Sequence, residues 1–587
     1  MASGWIKPDR LLAVVGSLRE AITLLETYRD AHKRAHEVFA RYRGTSFLHL
    51  WERLTGHRKA PPPTVKFNID SLVLQNNRVF AYGWMFDADA KVCQARLRVS
   101  LVDGTEVSLP VFHGKERPDV AEAFPGDKYS LFSGWMIYAA WAGAAATATA
   151  LVGRLENGSE FECLMPLNTS ADSATAQPVA DSIGSLQHVR NGGATGQFST
   201  EGAEVKSFAV DIIRSLLVAA QQDRCVLVID HAMGGGANQF RRQWIAQRLR
   251  TRPFVLVLTF EIATLRYALE ILTTHGSHRH LLGSDEPVTT LAESGLVDEV
   301  LYNDAVSFPR PEDLPNWLVA FKRVPGTILT LAVHDYLPVC PSQFLLNDSG
   351  RFCRIPPIEE CLRCLPVNEN EFASLFTSRH MPQWRKQWGA ALAVADQILC
   401  FSPSSKALLV RAYPALDQSR ITIEPHSIAA FDRKPVINLD APLHIGVVGA
   451  IGIHKGASVI QGLAAEIARR AAPVRITIIG SIDLVCDPGV VKTTGAYKRA
   501  DLPSLIESTG ANLFVLPSIC PETFSYVTQE LMALDVPLVS FDFGAPAERL
   551  ATYRFGRVLP RVTSVELLDG LIQFHCDLVN GAAQKFL

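Results

Sequence analysis

No run of apolar residues in this 587-residue chain reaches the roughly 20 needed to cross a bilayer as a helix, which argues against membrane-spanning helices. An excess of one charge is also missing. Lys and Arg number 57 against 59 Asp and Glu, a formal net charge of −2, so there is no general electrostatic case for nucleic acid as a partner. The opening MASGWIKPDR lacks the apolar core of a signal peptide and points to the cytoplasm. In that compartment the 11 cysteines read as thiols or metal ligands rather than disulfides.

What is present is length and pattern. A chain of this size predicts three or four domains with sizeable cores. Residues 1–60 read as helical, with Leu11, Val15, Leu18, Ile22 and Leu25 forming a short seam. Basic residues from Arg29 to Lys59, interleaved with Phe39, Tyr42, Phe47 and Trp51, fit either an anionic membrane surface at the inner face of the cell membrane, self-association, or packing on the rest of the protein. Pro61 to Pro63 break the pattern. Over 64–167 the period changes to two, with turn signals at Asp103-Gly104 and Asn157-Gly158, which predicts a β-sandwich. Trp84 and Trp135 there are either core residues or platforms for a sugar ring. Residues 168–204, rich in Ser, Thr, Ala and Gly, read as a linker. Two α/β lobes follow, over 205–432 and 433–587.

The first lobe opens on a buried strand, Val226 to Ile229, then a glycine loop with Gly234, Gly235 and Gly236 at a helix start. Such a loop lets backbone N–H groups approach an anion, although it is not the G-x-G-x-x-G fingerprint. A strand from Ile328 to Val333 ends in His334, at the carboxyl edge where open α/β sheets bind ligands. Cys340, Cys353, Cys361 and Cys364 follow within twenty-five residues and are candidates for a structural tetrahedral zinc site, with free thiols as the alternative. The second lobe opens with strand Ile445 to Val448 and a loop holding Gly449, Gly452, Lys455 and Gly456, suited to a diphosphate. Near the end, a strand (Leu513 to Leu516), a loop with Glu522, a helix with Glu530 and a strand (Pro537 to Phe541) make one parallel unit. On a continuous helix the two carboxylates would stand roughly 12 Å apart along the axis and about 80° around it.

This last unit resembles the donor-binding segment of retaining glycosyltransferases of sequence family 4, which have the two-lobe GT-B fold and a Glu-x7-Glu signature. The resemblance implies that Glu530 holds ribose hydroxyls and Glu522 lies over the sugar ring, with Thr523 and Phe524 in the same donor-binding loop. It further implies contact of His334 with donor sugar and phosphate, Lys455 on the diphosphate, Tyr497 at the nucleobase, and the loop Gly234 to Gly236 facing the acceptor. His334, Lys455 and Glu522 would be the catalytic set. The β-domain, with its GWMFD, RPDV and FSGW segments, is similar to one appended to bacterial glycosyltransferases and methyltransferases. Ala450 departs from the pattern, since family members place Arg there; Lys498 or Arg499 could supply the missing cation. The implied activity is transfer of a hexose or deoxyhexose from a nucleoside-diphosphate sugar to a glycan, lipid-linked or protein acceptor in polysaccharide or lipopolysaccharide biosynthesis, with no cofactor required for catalysis. Two rivals stay open: a catalytically decayed sugar-binding scaffold, and a sugar-nucleotide epimerase on the same fold.

Overall fold

The computed structural model describes residues 65–165 (except 76 and 142), 210–368 (except 275 and 283–285) and 379–583 (except 561 and 562). The helical segment expected over 1–60 and the linker expected over 168–204 lie outside them.

Alternation of apolar and polar residues becomes two four-stranded antiparallel sheets. Lys66–Gln75, Arg78–Phe86, Gly134–Ala140 and Phe112–Lys115 are neighbours in one; Glu106–Pro110, Val92–Leu101, Ala146–Leu155 and Glu160–Met165 in the other. Val79, Ala81, Leu97, Val99, Ile137 and Leu151 fill the space between them. Trp135, 2% exposed, belongs to this core and is not a sugar platform. Trp84 is half-buried against Phe86 and Phe124.

The first lobe is one eight-stranded sheet in the order Gly276–Leu282, Arg266–Thr273, Phe254–Glu261, Cys225–Ile229, Val297–Tyr302, Ile328–Ala332, Gln397–Cys400 and Ile421–Ile423. Its last six members are parallel, and the first two are joined to them and to each other by antiparallel pairing. CVLVI is buried at every position, as a strand covered on both faces requires. The exposed edge strand Gly276–Leu282 carries His278, Arg279 and His280, polar groups that discourage further pairing.

The second lobe is a parallel six-stranded sheet in the order Val491–Thr493, Arg475–Ile482, His444–Ile451, Leu513–Leu516, Leu538–Phe541 and Gly556–Leu559. The two-lobe, doubly wound architecture of the GT-B fold is therefore present. In both lobes the opening strand lies inside the sheet, and the chain first builds outward on one side and then returns to the other. That reversal is the topological switch point, the place where open sheets leave a crevice at their carboxyl edge. Both glycine loops follow those opening strands. No helix among the described residues is long and apolar enough to cross a membrane.

Candidate functional site

Three adjacent strands of the first lobe end in polar pairs at the carboxyl edge: Asp230-His231, Asn303-Asp304 and His334-Asp335. Hydrogen bonds join them. Asn238 Nδ2 donates to Asp230 Oδ2 at 2.7 Å, Arg241 Nη1 lies 3.0 Å from the same oxygen, and His231 Nε2 is 3.5 Å from Asp304 Oδ2. Asn303 gives its amide N–H to the Ala237 carbonyl at 3.0 Å, so its oxygen faces His334 Nε2 at 2.9 Å. An amide oxygen only accepts, hence His334 donates through Nε2 and keeps Nδ1 as a lone pair. Burial, with His426 and His231 beside it, holds the His334 pKa well below the imidazole range. Burial and the Asp304 charge push Asp335 well above the carboxylate range. For His231 burial opposes the charged form, but Asp304 and Asp230 outweigh it and the pKa is raised.

The glycine loop sits on this network. Asn238 accepts from the Gly234 N–H, and His231 Nδ1 accepts from Met233 N–H at 3.0 Å. Gly234 caps the helix Gly235–Arg248.

In the second lobe Gly456 caps the helix Ala457–Arg470 at φ +86°, and a Cβ there would lie 2.0 Å from the Pro517 carbonyl oxygen. Only glycine fits. The adjoining His454 carbonyl accepts from Ile519 N–H at 3.0 Å, which sets the Lys455 loop against the loop leading to Glu522. Gly449 and Gly452 flank the end of strand His444–Ile451 in the same loop. The Lys455 side chain is part-buried and has no ion-pair or hydrogen-bond partner among the described residues.

The two glutamates differ from the continuous-helix picture. The helix is only Tyr526–Ala533, with Ser525 as its N-cap, so Glu522 lies in the preceding loop and the axial spacing does not apply. The cause is local: Ser525 adopts φ +68° and stops the helix from extending backwards. Glu522 accepts from the Ser518 hydroxyl, and Gly544 packs against its backbone nitrogen. Glu530 is 8% exposed and pairs with Arg499 Nε at 2.7 Å. Burial raises its pKa, and Arg499 opposes the rise. Arg499 also lies over Phe431, 4.0 Å from the ring centroid. It is therefore taken up by Glu530 rather than left for a diphosphate. Tyr497 is part-buried near Glu530, whose charge adds to burial in raising the phenol pKa.

The lobes meet at these loops. Thr523 Oγ1 donates to the His334 carbonyl at 2.7 Å. A Cβ on Gly236 would fall 2.6 Å from the Tyr526 ring. Phe524, 3% exposed, enters the layer formed by Val226, Val228, Ile245, Leu301 and Phe401 of the first lobe, so its side chain anchors one lobe to the other. His426, in the crossover between lobes, stacks on Phe401 at 4.1 Å and on Tyr526 at 5.1 Å. Burial and Arg549 lower its pKa to about 4. Arg549 covers Phe524 at 3.8 Å, and burial brings its pKa down to about 10 against the pull of Glu522 and Glu548.

Sequence reading missed Asp230, His231, Asn303, Asp304, His426 and Arg549. A polar pair directly after a fully buried strand was a usable signal for the first four. Nothing local marks His426, or the placement of Arg549 over Phe524.

Cys340, Cys353, Cys361 and Cys364 are all free. Each has its pKa raised by burial, and the thiols of Cys353 and Cys361 add to the rise at Cys340. Among the described residues no group of three or more His, Cys, Asp or Glu side chains is arranged to hold a metal ion. Phe344, from the same segment, stacks on His454 of the second lobe at 4.0 Å and 7°.

No curated protein matches the chain in sequence. Solved structures similar to it include sucrose-phosphate synthase from Thermosynechococcus elongatus, 15% identical, with 60% of this chain and 90% of that one covered at a TM-score of 0.42. Anabaena HepE in complex with UDP-glucose is 14% identical, covering 59% and 88% at 0.37. The lipopolysaccharide outer core galactosyltransferase WaaB in its apo form is 12% identical, covering 61% and 91% at 0.38. The stretch that holds the second glycine loop, Lys455, Tyr497 and both glutamates, residues 442–577, matches the family of glycosyl transferases group 1.

Proposed function

We propose that the chain is a retaining glycosyltransferase that moves a hexose or deoxyhexose from a nucleoside-diphosphate sugar to a glycan, lipid-linked or protein acceptor. The observation that carries this reading is the meeting of the two switch-point crevices, where the Glu522 loop hydrogen-bonds across the lobes to the His334 carbonyl. The donor would lie on the second lobe with ribose at Glu530, sugar near Glu522 and His334, and diphosphate at Lys455.

Charge accumulates on the leaving diphosphate as the glycosidic bond breaks, so donors already aimed there lower the barrier most. The unpartnered Lys455 and the N-termini of helices Ala457–Arg470 and Tyr526–Ala533 would be such donors. The leaving phosphate then takes the proton of the acceptor hydroxyl, which attacks from the same face and retains the anomeric configuration. No divalent cation is required. The neutral His334 fits a hydrogen-bonding role beside the sugar rather than a charged one. The acceptor would approach over Gly234 to Gly236. Lys455→Ala should lower turnover more than about tenfold, and Glu530→Ala should weaken donor binding. Unchanged kinetics in both variants would remove the assignment.

A further inference from the structure

The β-sandwich touches both lobes, and by different chemistry. On the first lobe the contact is apolar and buried: Phe80, Tyr82 and Tyr138 share a core with Phe260 and Tyr267, and the Tyr138 hydroxyl donates to the Ser307 carbonyl at 2.7 Å. On the second lobe an ion pair makes the contact. Lys115 Nζ lies 3.0 Å from Asp483 Oδ2, and Gly114 comes so close that a Cβ there would be 3.3 Å from the Asp483 carbonyl oxygen.

Asp483 is not a remote surface acid. It follows the strand Arg475–Ile482 at the carboxyl edge, and its N–H donates to the Ile451 carbonyl at 3.0 Å. Its Oδ2 sits 3.4 Å from where a Cβ on Gly452 would be. A carboxylate therefore borders the loop that the donor reading assigns to a diphosphate, where alone it would repel the ligand. Glu116, the next residue of the sandwich, adds a second acid, its pKa raised by burial and by Asp483. The ammonium facing Asp483 from the sandwich is Lys115.

Resting on the donor reading above, we propose that Lys115 is a positioning residue of the donor site: its ion pair holds the Asp483 carboxylate where it stands beside Gly452 and cancels a charge that would oppose the diphosphate. The accessory domain thus completes the site instead of merely flanking it.

The test is a charge cycle on the full chain, reading donor affinity by calorimetry and donor KM against acceptor KM. Lys115→Met should weaken donor binding about fivefold to tenfold and raise donor KM, leaving acceptor KM unchanged. Asp483→Asn should bind donor as well as the parent, and Lys115→Met with Asp483→Asn should restore affinity. Melting temperatures should move little, as for a part-exposed pair. If Asp483→Asn is as harmful as Lys115→Met and the double variant shows no rescue, the pair is a brace and the inference is overturned. Binding that Lys455→Ala weakens but Lys115→Met does not also overturns it, with the donor reading intact. A parent protein that binds no nucleotide-sugar removes both.

Discussion

At the residue scale the site is defined by charges out of their usual range. Glu530 is buried and matched by Arg499, so removing the partner leaves an unpaired buried carboxylate, the costly half of such a pair. Arg499→Met should therefore weaken donor binding at least as much as Glu530→Gln, a comparison calorimetry can make. His426 supports a pH prediction. Its folded pKa of about 4 lies below the unfolded value near 6.5, so the unfolded chain binds the extra proton between these limits. Its contribution to stability is present above about pH 6.5 and is lost as pH falls towards 4. His426→Phe should flatten the fall in melting temperature over that window by a few degrees; an unaltered pH profile would refute the burial of a neutral ring. The placement of Glu522 in a loop and Glu530 on a helix was readable because a loop and a helix start leave composition marks. Arg549 was not, because its role depends on Phe524 and Glu522, which reach it only after the chain turns back.

At the element scale, strands and the glycine loops were legible. Runs such as CVLVI are buried on both faces, and the residues ending them fall at the sheet's carboxyl edge. The antiparallel strands Arg266–Thr273 and Gly276–Leu282 were not foreseen, since their pairing is set by the neighbouring strand Phe254–Glu261 rather than by their own period. Gly236→Ala should clash with Tyr526 and push the lobes apart, lowering turnover several-fold with little change in donor affinity. Adding Tyr526→Ala should relieve it, and failure of the pair to couple would contradict the contact. The cysteine segment reaches the second lobe through Phe344, which stacks on His454. Metal analysis of purified protein, repeated with each of the four cysteines replaced, decides between zinc and free thiols: stoichiometric zinc lost on replacement supports the first, and none supports the second.

At the scale of the whole molecule, the units are joined by contacts that no local pattern encodes. Thr523 meets His334, Tyr138 meets Ser307 and Lys115 meets Asp483 across 189, 169 and 368 residues of chain. Composition and period reveal two lobes and a sandwich, but not which faces they share. The proposed reaction needs Lys455 and Glu530 to line one pocket for an activated sugar. Its most direct test is calorimetric titration with a panel of UDP-, GDP-, ADP- and dTDP-sugars, on the parent protein and on Lys455→Ala and Glu530→Ala. Saturable binding of at least one donor is expected, weakened about tenfold or more in each variant. Binding of none, or binding that neither variant alters, would contradict it.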